Sequence, residues 1–183
     1  MSDALPALAG RGIRLRPLTQ ADAADLFDVF SDPRVMRYWS REPFRHLDEA
    51  RRLVEDIEAG WRGDTLYQWG IEPDGAGRIV GTTTLFQIST AHRRAEIGFA
   101  LGSAWWGRGF ARAAVERLIA HAFETQGLGR LEADVDPRNA ASLGLLERLG
   151  FRREGLLRER YRVAGEVQDS VILGLLRTQW TPP

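Results

Sequence analysis

The stretch that decides the fold is RAEIGFALGSAWWGRGFARAAVERLIAHAFETQ, residues 94–126. Its first part, Arg94–Leu101, alternates between two faces as a β-strand does. One face carries Ala95, Ile97, Phe99 and Leu101, and the other carries Glu96, Gly98 and Ala100. The turn Gly102–Gly109 follows, and apolar residues at helical spacing predict a helix over Phe110–Gln126. A strand, a glycine-containing turn and a helix therefore follow one another without a break.

The turn is suited to bind an anion. Gly107 and Gly109 let the backbone approach a ligand closely, and the first N–H groups of the following helix lack partners within it. The positive end of the helix dipole adds to this, so a pyrophosphate fits the position. Arg108 and Arg112 bring further positive charge. A tight turn that needs glycine only for its own conformation is the alternative, and spacing by itself does not decide between the two.

A dinucleotide-binding turn is a competing interpretation. Its pattern, G-x-G-x-x-G, requires a third glycine where this chain has Arg112. The turn also lies in mid-chain, after strands typical of an antiparallel meander rather than of an opening βαβ unit. The dinucleotide interpretation therefore fits this stretch badly.

The composition excludes several classes of chemistry. The 183 residues are 44% hydrophobic and 27% charged, which predicts one globular domain over residues 1–183 with a core of about 12–180. A net charge of zero favours neither nucleic acid nor a membrane surface. Without cysteine or lysine, the chain has no thiolate nucleophile and no Schiff-base lysine. Its three histidines lack metal-ligand spacing, so we expect no metal.

The remaining segments predict the fold class. We expect helices after Thr19 and over Asp48–Trp61, and a short helix that ends at Gly150. Alternation predicts strands at Gly12–Pro17, Thr65–Glu72, Arg78–Ile88, Leu131–Val135, Phe151–Val163 and Val167–Leu176. The prediction is an α/β (α+β) fold with one mixed, mostly antiparallel sheet of six to seven strands, flanked by about four helices. Since Met1–Gly10 lacks the pattern of a signal peptide and no apolar run is long enough to span a bilayer, we expect a cytoplasmic protein.

The central stretch resembles a motif of the GNAT superfamily of N-acetyltransferases. That motif reads Gln or Arg, two residues, Gly, one residue, then Gly or Ala, and it falls here on Trp106, Gly109 and Ala111, with Trp106 departing from the usual Gln or Arg. The residues that resemble the RimJ/RimL-type branch, which acetylates N-terminal amines of ribosomal proteins, are Glu96–Phe99, Trp105–Ala111, Asn139–Ser142, Leu149–Phe151 and Tyr161–Asp169. The resemblance covers about residues 13–180.

The resemblance implies where the cosubstrate acetyl-CoA binds. Backbone N–H groups at the turn and helix start would hold the pyrophosphate, namely those of Gly107, Arg108, Gly109, Phe110, Ala111 and Arg112. The strand edge at Phe99, Ala100 and Leu101 would pair with the pantetheine arm and polarise the thioester carbonyl. Asn139 would hydrogen-bond the pantetheine or position the loop before the next helix.

Two residues are candidates for the proton transfers. The acceptor ammonium must lose a proton before it attacks, and Glu96 is the candidate base, directly or through water. A solvated or salt-bridged strand glutamate, paired with Arg94, is the alternative. Many relatives place a tyrosine proton donor where this chain has Leu146, so the resemblance implies that Ser142 serves near the sulfur instead. A Ser142 hydroxyl that bonds its own helix backbone is the alternative.

The acceptor is the least determined part. The branch resemblance favours a protein or peptide N-terminal amine, whereas relatives with similar motifs acetylate polyamines, amino acids or antibiotics. A carboxylate-rich cleft would favour a polyamine, and an open groove a peptide. A non-catalytic acetyl-CoA-binding module is a further alternative. Trp39, Trp105 or Trp106, and Tyr161 are possible acceptor contacts, and we expect a monomer or a homodimer with neither nucleic acid nor membrane as partner.

Overall fold

The computed structural model describes residues 5–182. Its strands are β1 (Leu8–Gly10), β2 (Ile13–Pro17), β3 (Leu66–Pro73), β4 (Gly81–Ser89), β5 (Arg94–Leu101), β6 (Arg130–Val135), β7 (Arg152–Val163) and β8 (Glu166–Leu176). Its helices are α1 (Ala23–Phe30), α2 (Pro33–Met36), α3 (Leu47–Arg62), α4 (Phe110–Ala120) and α5 (Ala140–Arg148). The eight strands form one sheet in the order β1-β2-β3-β4-β5-β6-β8-β7. None of the helices described is long and apolar enough to cross a membrane.

Helices cover both faces of this sheet, and alternate residues of its strands belong to two separate hydrophobic cores. In β5, Ala95, Ile97 and Leu101 belong to the core beneath α4 and α5. Ala100, on the opposite face, belongs to the second core, which includes Leu26 of α1 and other residues of α1 and α3. The predicted alternation of β5 is therefore the pattern that separates the two layers.

The sheet opens between β5 and β6, its only parallel neighbours among the residues described. Their pairing runs from Arg94 with Arg130 to Glu96 with Glu132 and stops there. Beyond Glu96, β5 keeps its antiparallel pairing with β4 as far as Leu101. The edge of β5 that faces β6 is therefore without a strand partner from residue 97 onward. The N-terminal ends of α4 and α5 lie next to this gap.

The structure confirms the predicted fold class, a mixed and mostly antiparallel sheet flanked by helices. It has eight strands where six to seven were expected, because β1 spans three residues and is too short to show an alternating pattern. The four-residue α2, which begins at Pro33, was also not expected. The helix predicted over Phe110–Gln126 is α-helical to Ala120 and then forms one π-helical turn, His121–Thr125.

Candidate active site

The glycine turn before α4 needs its glycines for backbone conformation. Gly107 has φ 75° and Gly109, the N-cap of α4, has φ 82°. Both values lie in the left-handed region that side-chain-bearing residues rarely adopt. A Cβ atom added to either glycine would meet nothing within 4 Å, so no protein atom occupies the space in front of them. The turn therefore faces an open surface, with the N-terminus of an eleven-residue helix directed at it.

A groove of about 560 Å³ lies in front of this turn and along β5. It brings together ten of the eleven residues predicted to bind acetyl-CoA, namely Phe99, Ala100, Leu101, Gly107, Gly109, Phe110, Ala111, Arg112, Asn139 and Ser142. Arg108 is not among the lining residues; its guanidinium carbon lies 5.0 Å from the Trp105 ring centroid. We call this the donor groove. It combines a helix N-terminus with an unpaired strand edge.

A second cavity, of about 400 Å³, lies on the sheet face that carries Glu96. Its floor comes from alternate strand residues, because directly paired residues share a face: Gln68 pairs with Thr84 and Thr84 with Gly98, two residues from Glu96. Further lining residues come from the segment after α2 and from the β7–β8 hairpin, namely Tyr38, Trp39, Ser40, Arg41, Tyr161, Gln168 and Asp169. We call this the acceptor cavity.

The donor groove and the acceptor cavity meet. Five residues line both of them, namely Tyr38, Trp39, Phe99, Asn139 and Ser142. Two of the five, Asn139 and Ser142, stand at the N-terminus of α5, which follows β6. A ligand in the groove and a ligand in the cavity would touch at this junction.

Glu96 lies in the acceptor cavity with an altered acidity. Burial, together with the negative charges of Asp134 and Glu132, raises the pKa of Glu96 to about 7. It makes no ion pair within 4.0 Å among residues 5–182, because Arg94 binds Glu132 instead at 2.8 Å. The salt bridge between Glu96 and Arg94, the alternative considered for this residue, is not formed. A carboxyl group with a pKa near 7 can take up a proton at neutral pH.

Asp134 is the acidic neighbour of Glu96 and is held by three side chains. The Tyr161 hydroxyl donates to its Oδ2 at 2.8 Å, and the Ser170 hydroxyl donates to its Oδ1. The Arg160 Nε lies 3.7 Å from Oδ2. Burial and the bond to Asp134 raise the pKa of Tyr161, so this phenol stays protonated. The cluster fixes a negative charge beside Glu96.

Asn139 and Ser142 are joined by a helix cap. The Asn139 Oδ1 accepts a hydrogen bond of 3.1 Å from the Ser142 backbone N–H. Asn139 is therefore the N-cap of α5. The Ser142 hydroxyl makes no hydrogen bond to another residue in the described part of the chain, so the local backbone does not occupy it. It remains available at the junction of groove and cavity.

Comparison with protein families identifies the arrangement. Residues 13–152 match the acetyltransferase (GNAT) domain family. The chain belongs to the GNAT acetyltransferase family. It is an N-acetyltransferase of that family, and as an enzyme an acyltransferase. The resemblance stated from residues 94–126 is thereby confirmed.

Relatives of this GNAT enzyme include an uncharacterized N-acetyltransferase, a spermidine N-acetyltransferase and a RimJ protein. It is 34% identical to p20 of Bacillus licheniformis, an uncharacterized N-acetyltransferase, over 92% of this chain and 94% of that protein. The structure of spermidine N-acetyltransferase from Vibrio cholerae with CoA and spermine has a TM-score of 0.81 and 26% identity, covering 92% of this chain and 97% of that chain. The structure of Mycobacterium smegmatis RimJ with CoA-disulfide has a TM-score of 0.82 and 27% identity, covering 96% of this chain and 88% of that chain.

The aromatic residues proposed as acceptor contacts in this GNAT enzyme occupy different places. Trp39 lines both the groove and the cavity, and Tyr161 lines the cavity. Trp106 lines the donor groove, where its Nε1 donates to the Leu101 carbonyl at 2.8 Å, and Trp105 lines neither. Among residues 5–182 there is no group of three or more His, Asp or Glu able to hold a metal ion.

Sequence reasoning missed three cavity residues of this GNAT enzyme, Arg41, Gln68 and Asp134. For Asp134 a signal existed, because Glu132 and Asp134 alternate with apolar residues in β6 just as Glu96 alternates in β5. Arg41 lies in a loop without periodicity, and Gln68 is a single polar residue in a buried strand. Neither of these two carries a local pattern that marks a binding site.

Proposed function

We propose that this chain transfers the acetyl group of acetyl-CoA to a primary amine by direct attack, with Glu96 as the general base. The observation that carries the proposal is the position of Glu96. It has a pKa of about 7 and lies in a cavity that joins a groove built for an anionic cofactor. An unpaired, partly buried carboxyl group at such a junction suits proton removal from an acceptor amine.

The donor groove supports acetyl-CoA as the donor. The N–H groups at the start of α4 and the turn at Gly107 would bind the pyrophosphate. The β5 edge, unpaired after Glu96, would hydrogen-bond the pantetheine arm as a missing strand would. A backbone N–H near Phe99 would then face the thioester carbonyl and stabilise the oxyanion.

The proposed reaction needs no enzyme intermediate, and the acceptor nitrogen loses two protons in it. The ammonium gives the first proton to Glu96, which passes it to solvent, and the neutral amine nitrogen then bonds to the carbonyl carbon. As the tetrahedral intermediate collapses, the carbon–sulfur bond breaks and the nitrogen loses its second proton, which protonates the leaving thiolate through solvent. The Ser142 hydroxyl, which is not engaged by its own helix, donates a hydrogen bond to that thiolate. Because the chain has no cysteine, direct attack is favoured over an acyl-thioester on the protein.

We favour a protein or peptide N-terminal amine as the acceptor. A polyamine needs carboxylates that are free to bind its additional charges, and most of those in the acceptor cavity are engaged. Asp136 is bound by Arg138 at 2.6 Å, and Asp134 by Tyr161 and by Arg160 nearby. Asp169 forms no ion pair among the described residues, but its Oδ1 accepts a hydrogen bond of 2.8 Å from the Glu159 backbone N–H. Among the cavity carboxylates, Glu96 alone has neither an ion pair nor a hydrogen bond to the described part of the protein, which leaves it for one ammonium group.

Release of CoA tests the proposal. Purified protein is incubated with acetyl-CoA and one acceptor at a time, and free thiol is measured with a chromogenic disulfide. The panel contains peptides with free and with blocked N-termini, spermidine, and a monoamine. We expect release with the free N-terminal peptides and none with blocked ones. Absence of release with every amine would favour the non-catalytic module, and a preference for spermidine would favour the polyamine acceptor.

A further inference from the structure

One arginine enters the acceptor cavity without an acidic partner. Arg41, in the segment between α2 and α3, lines the cavity. Its guanidinium carbon lies 5.2 Å from the Phe30 ring centroid and 4.4 Å from that of Phe44. It forms no salt bridge within the described residues, and burial lowers the pKa of Arg41. The residue is exposed, so a ligand can reach it.

The other arginines around the cavity differ from Arg41 in this respect. Arg138 binds Asp136 at 2.6 Å and also contacts Glu166, and Arg160 lies 3.7 Å from Asp134. A cation that is partly removed from water loses hydration energy, which a nearby carboxylate can offset. Arg41 has no carboxylate within salt-bridge distance in the described part of the protein, and Glu49 offsets the loss of hydration only from further away. An anionic group of a ligand would supply a partner within that distance.

A buried amide is the second observation. Gln68 of β3 is only 6% exposed and lines the same cavity. Its side chain makes no hydrogen bond to any other residue in 5–182, and its amide still reaches solvent, since the Thr83 hydroxyl is the one fully buried side-chain polar group without a partner among those residues. The Gln68 amide can therefore bond a ligand in the cavity. Leu66, two residues earlier on the same strand face, packs on the core that contains Phe30 and Phe44. Gln68 therefore borders the side of the cavity that carries Arg41.

The sheet register places Gln68 at a distance from Glu96. Gln68 is opposite Thr84, and Thr84 is opposite Gly98, which is two residues from Glu96 on the same face. Two strand spacings separate the backbones of β3 and β5 by about 10 Å. A molecule that reaches both places must carry its amine and its second polar group several bonds apart.

We propose that Arg41 and Gln68 bind an anionic group of the acceptor, so that this enzyme selects amines carrying a carboxylate several bonds from the nitrogen. Arg41 supplies the charge and Gln68 an N–H donor, while the amine lies at Glu96. A short ω-amino acid has this chemistry, and so does a peptide with an acidic side chain next to its free N-terminus. The inference rests on the proposed function, since it assumes an amine at Glu96.

A charge-matched acceptor series tests the proposal. The first arm uses ω-amino acids of increasing chain length beside their amides, and the second uses Ala-Glu and Ala-Gln peptides with blocked C-termini. We expect kcat/KM to be about 10-fold or more higher for the charged member of a pair, as for a hydrogen bond to a charged group. A preference for the acid only among the ω-amino acids indicates a small-molecule acceptor. A preference for Ala-Glu over Ala-Gln indicates a peptide acceptor.

The variant Arg41→Gln should remove that preference, because kcat/KM should fall more for the acids than for the uncharged amides. Arg37→Gln is the matched control, since Arg37 also lies over a ring, that of Tyr38, at 5.2 Å but lines neither groove nor cavity. The Arg37→Gln enzyme should keep the preference for the charged acceptors. Melting temperatures of both variants establish that they fold. A wild-type enzyme that acetylates acids and amides equally, or an Arg41→Gln enzyme that still prefers the acids, overturns the proposal.

Failure of this inference and failure of the proposed function give different results. Acetylation without charge preference contradicts the Arg41 subsite and leaves the proposed function intact. If no amine releases CoA, the proposed function fails, and the subsite is then judged by binding. In the presence of CoA, at least one ω-amino acid of the series should raise the melting temperature of the wild type and not that of Arg41→Gln. Equal shifts for both proteins, or none for either, count against the subsite.

Discussion

The donor groove and the acceptor cavity meet at Ser142, but they are built in different ways. The donor groove relies on backbone: a turn with positive φ at Gly107 and Gly109, a helix N-terminus and an unpaired strand edge. The acceptor cavity relies on side chains from several strands and from the segment after α2. The groove therefore tolerates many side-chain changes as long as its backbone is kept, whereas single side chains decide the chemistry of the cavity.

The largest effect is expected for Glu96→Gln in the acceptor cavity. Removal of a general base costs about 10²–10⁴-fold in rate. Because the pKa of Glu96 is raised to about 7, it is protonated and inactive as a base below that pH, so the wild-type rate should increase as pH rises through about 7. In the variant, the rise of the rate near pH 7 disappears. The rate difference between the wild type and the variant becomes smaller above the pKa of the acceptor amine, because the amine is then already deprotonated. The measurement is kcat/KM between pH 6 and 10.

Glu96→Asp is the control for this change, because it keeps a carboxylate on the same strand face. It should retain a pH-dependent limb with a reduced rate. If Glu96→Gln leaves the pH–rate profile unchanged, the assignment of Glu96 as base is wrong. The affinity for acetyl-CoA should stay the same in both variants, since the donor groove is lined by other residues.

The same contrast explains how much could be predicted from the sequence. The pyrophosphate turn and α4 form one continuous stretch, so glycine spacing and helical periodicity reveal them. Glu96 was found through its place in the same stretch. Gln68 shares a cavity with Glu96 only through the pairing of β3, β4 and β5, and pairing register is not visible in a single sequence. Arg41 reaches that cavity from the loop between α2 and α3, which has no periodicity. The count of strands was low because β1 has three residues.

The second prediction concerns the junction between groove and cavity. Ser142→Ala should lower kcat by about 10-fold, as expected for a lost hydrogen bond to a charged leaving group, with little change in acetyl-CoA affinity. Steady-state kinetics with acetyl-CoA as the varied substrate, together with CoA binding by calorimetry, measure both quantities. Ser142→Thr keeps the hydroxyl and should restore part of kcat. Equal losses in kcat and in affinity would contradict a role near the sulfur.

The third prediction tests the backbone character of the donor groove. Gly109→Ala forces a side chain into the left-handed region, at a cost of about 1–2 kcal/mol, and places a Cβ atom in the open space of the turn. We expect KM for acetyl-CoA to rise about 5-fold with little change in kcat. Gly75→Ala is a matched control, since Gly75 has φ 73° and also faces open space, in the β3–β4 hairpin. It should lower the melting temperature similarly and leave KM unchanged; a KM increase in both variants would point to general destabilisation.

The smallest effect is expected for substitutions of Asn139, which both caps α5 and lines the donor groove. They distinguish the two roles considered for this residue, a hydrogen bond to the pantetheine and positioning of the loop before α5. Asn139→Ala removes the cap and should lower the free energy of unfolding by about 1 kcal/mol in urea denaturation. Asn139→Asp keeps a capping oxygen but loses the amide N–H donor. If Asn139 only positions the loop, the aspartate variant should match the wild type in stability and in KM for acetyl-CoA. If its amide also donates to the pantetheine, that variant should stay stable while KM rises, and the backbone groove would then depend on one side chain after all.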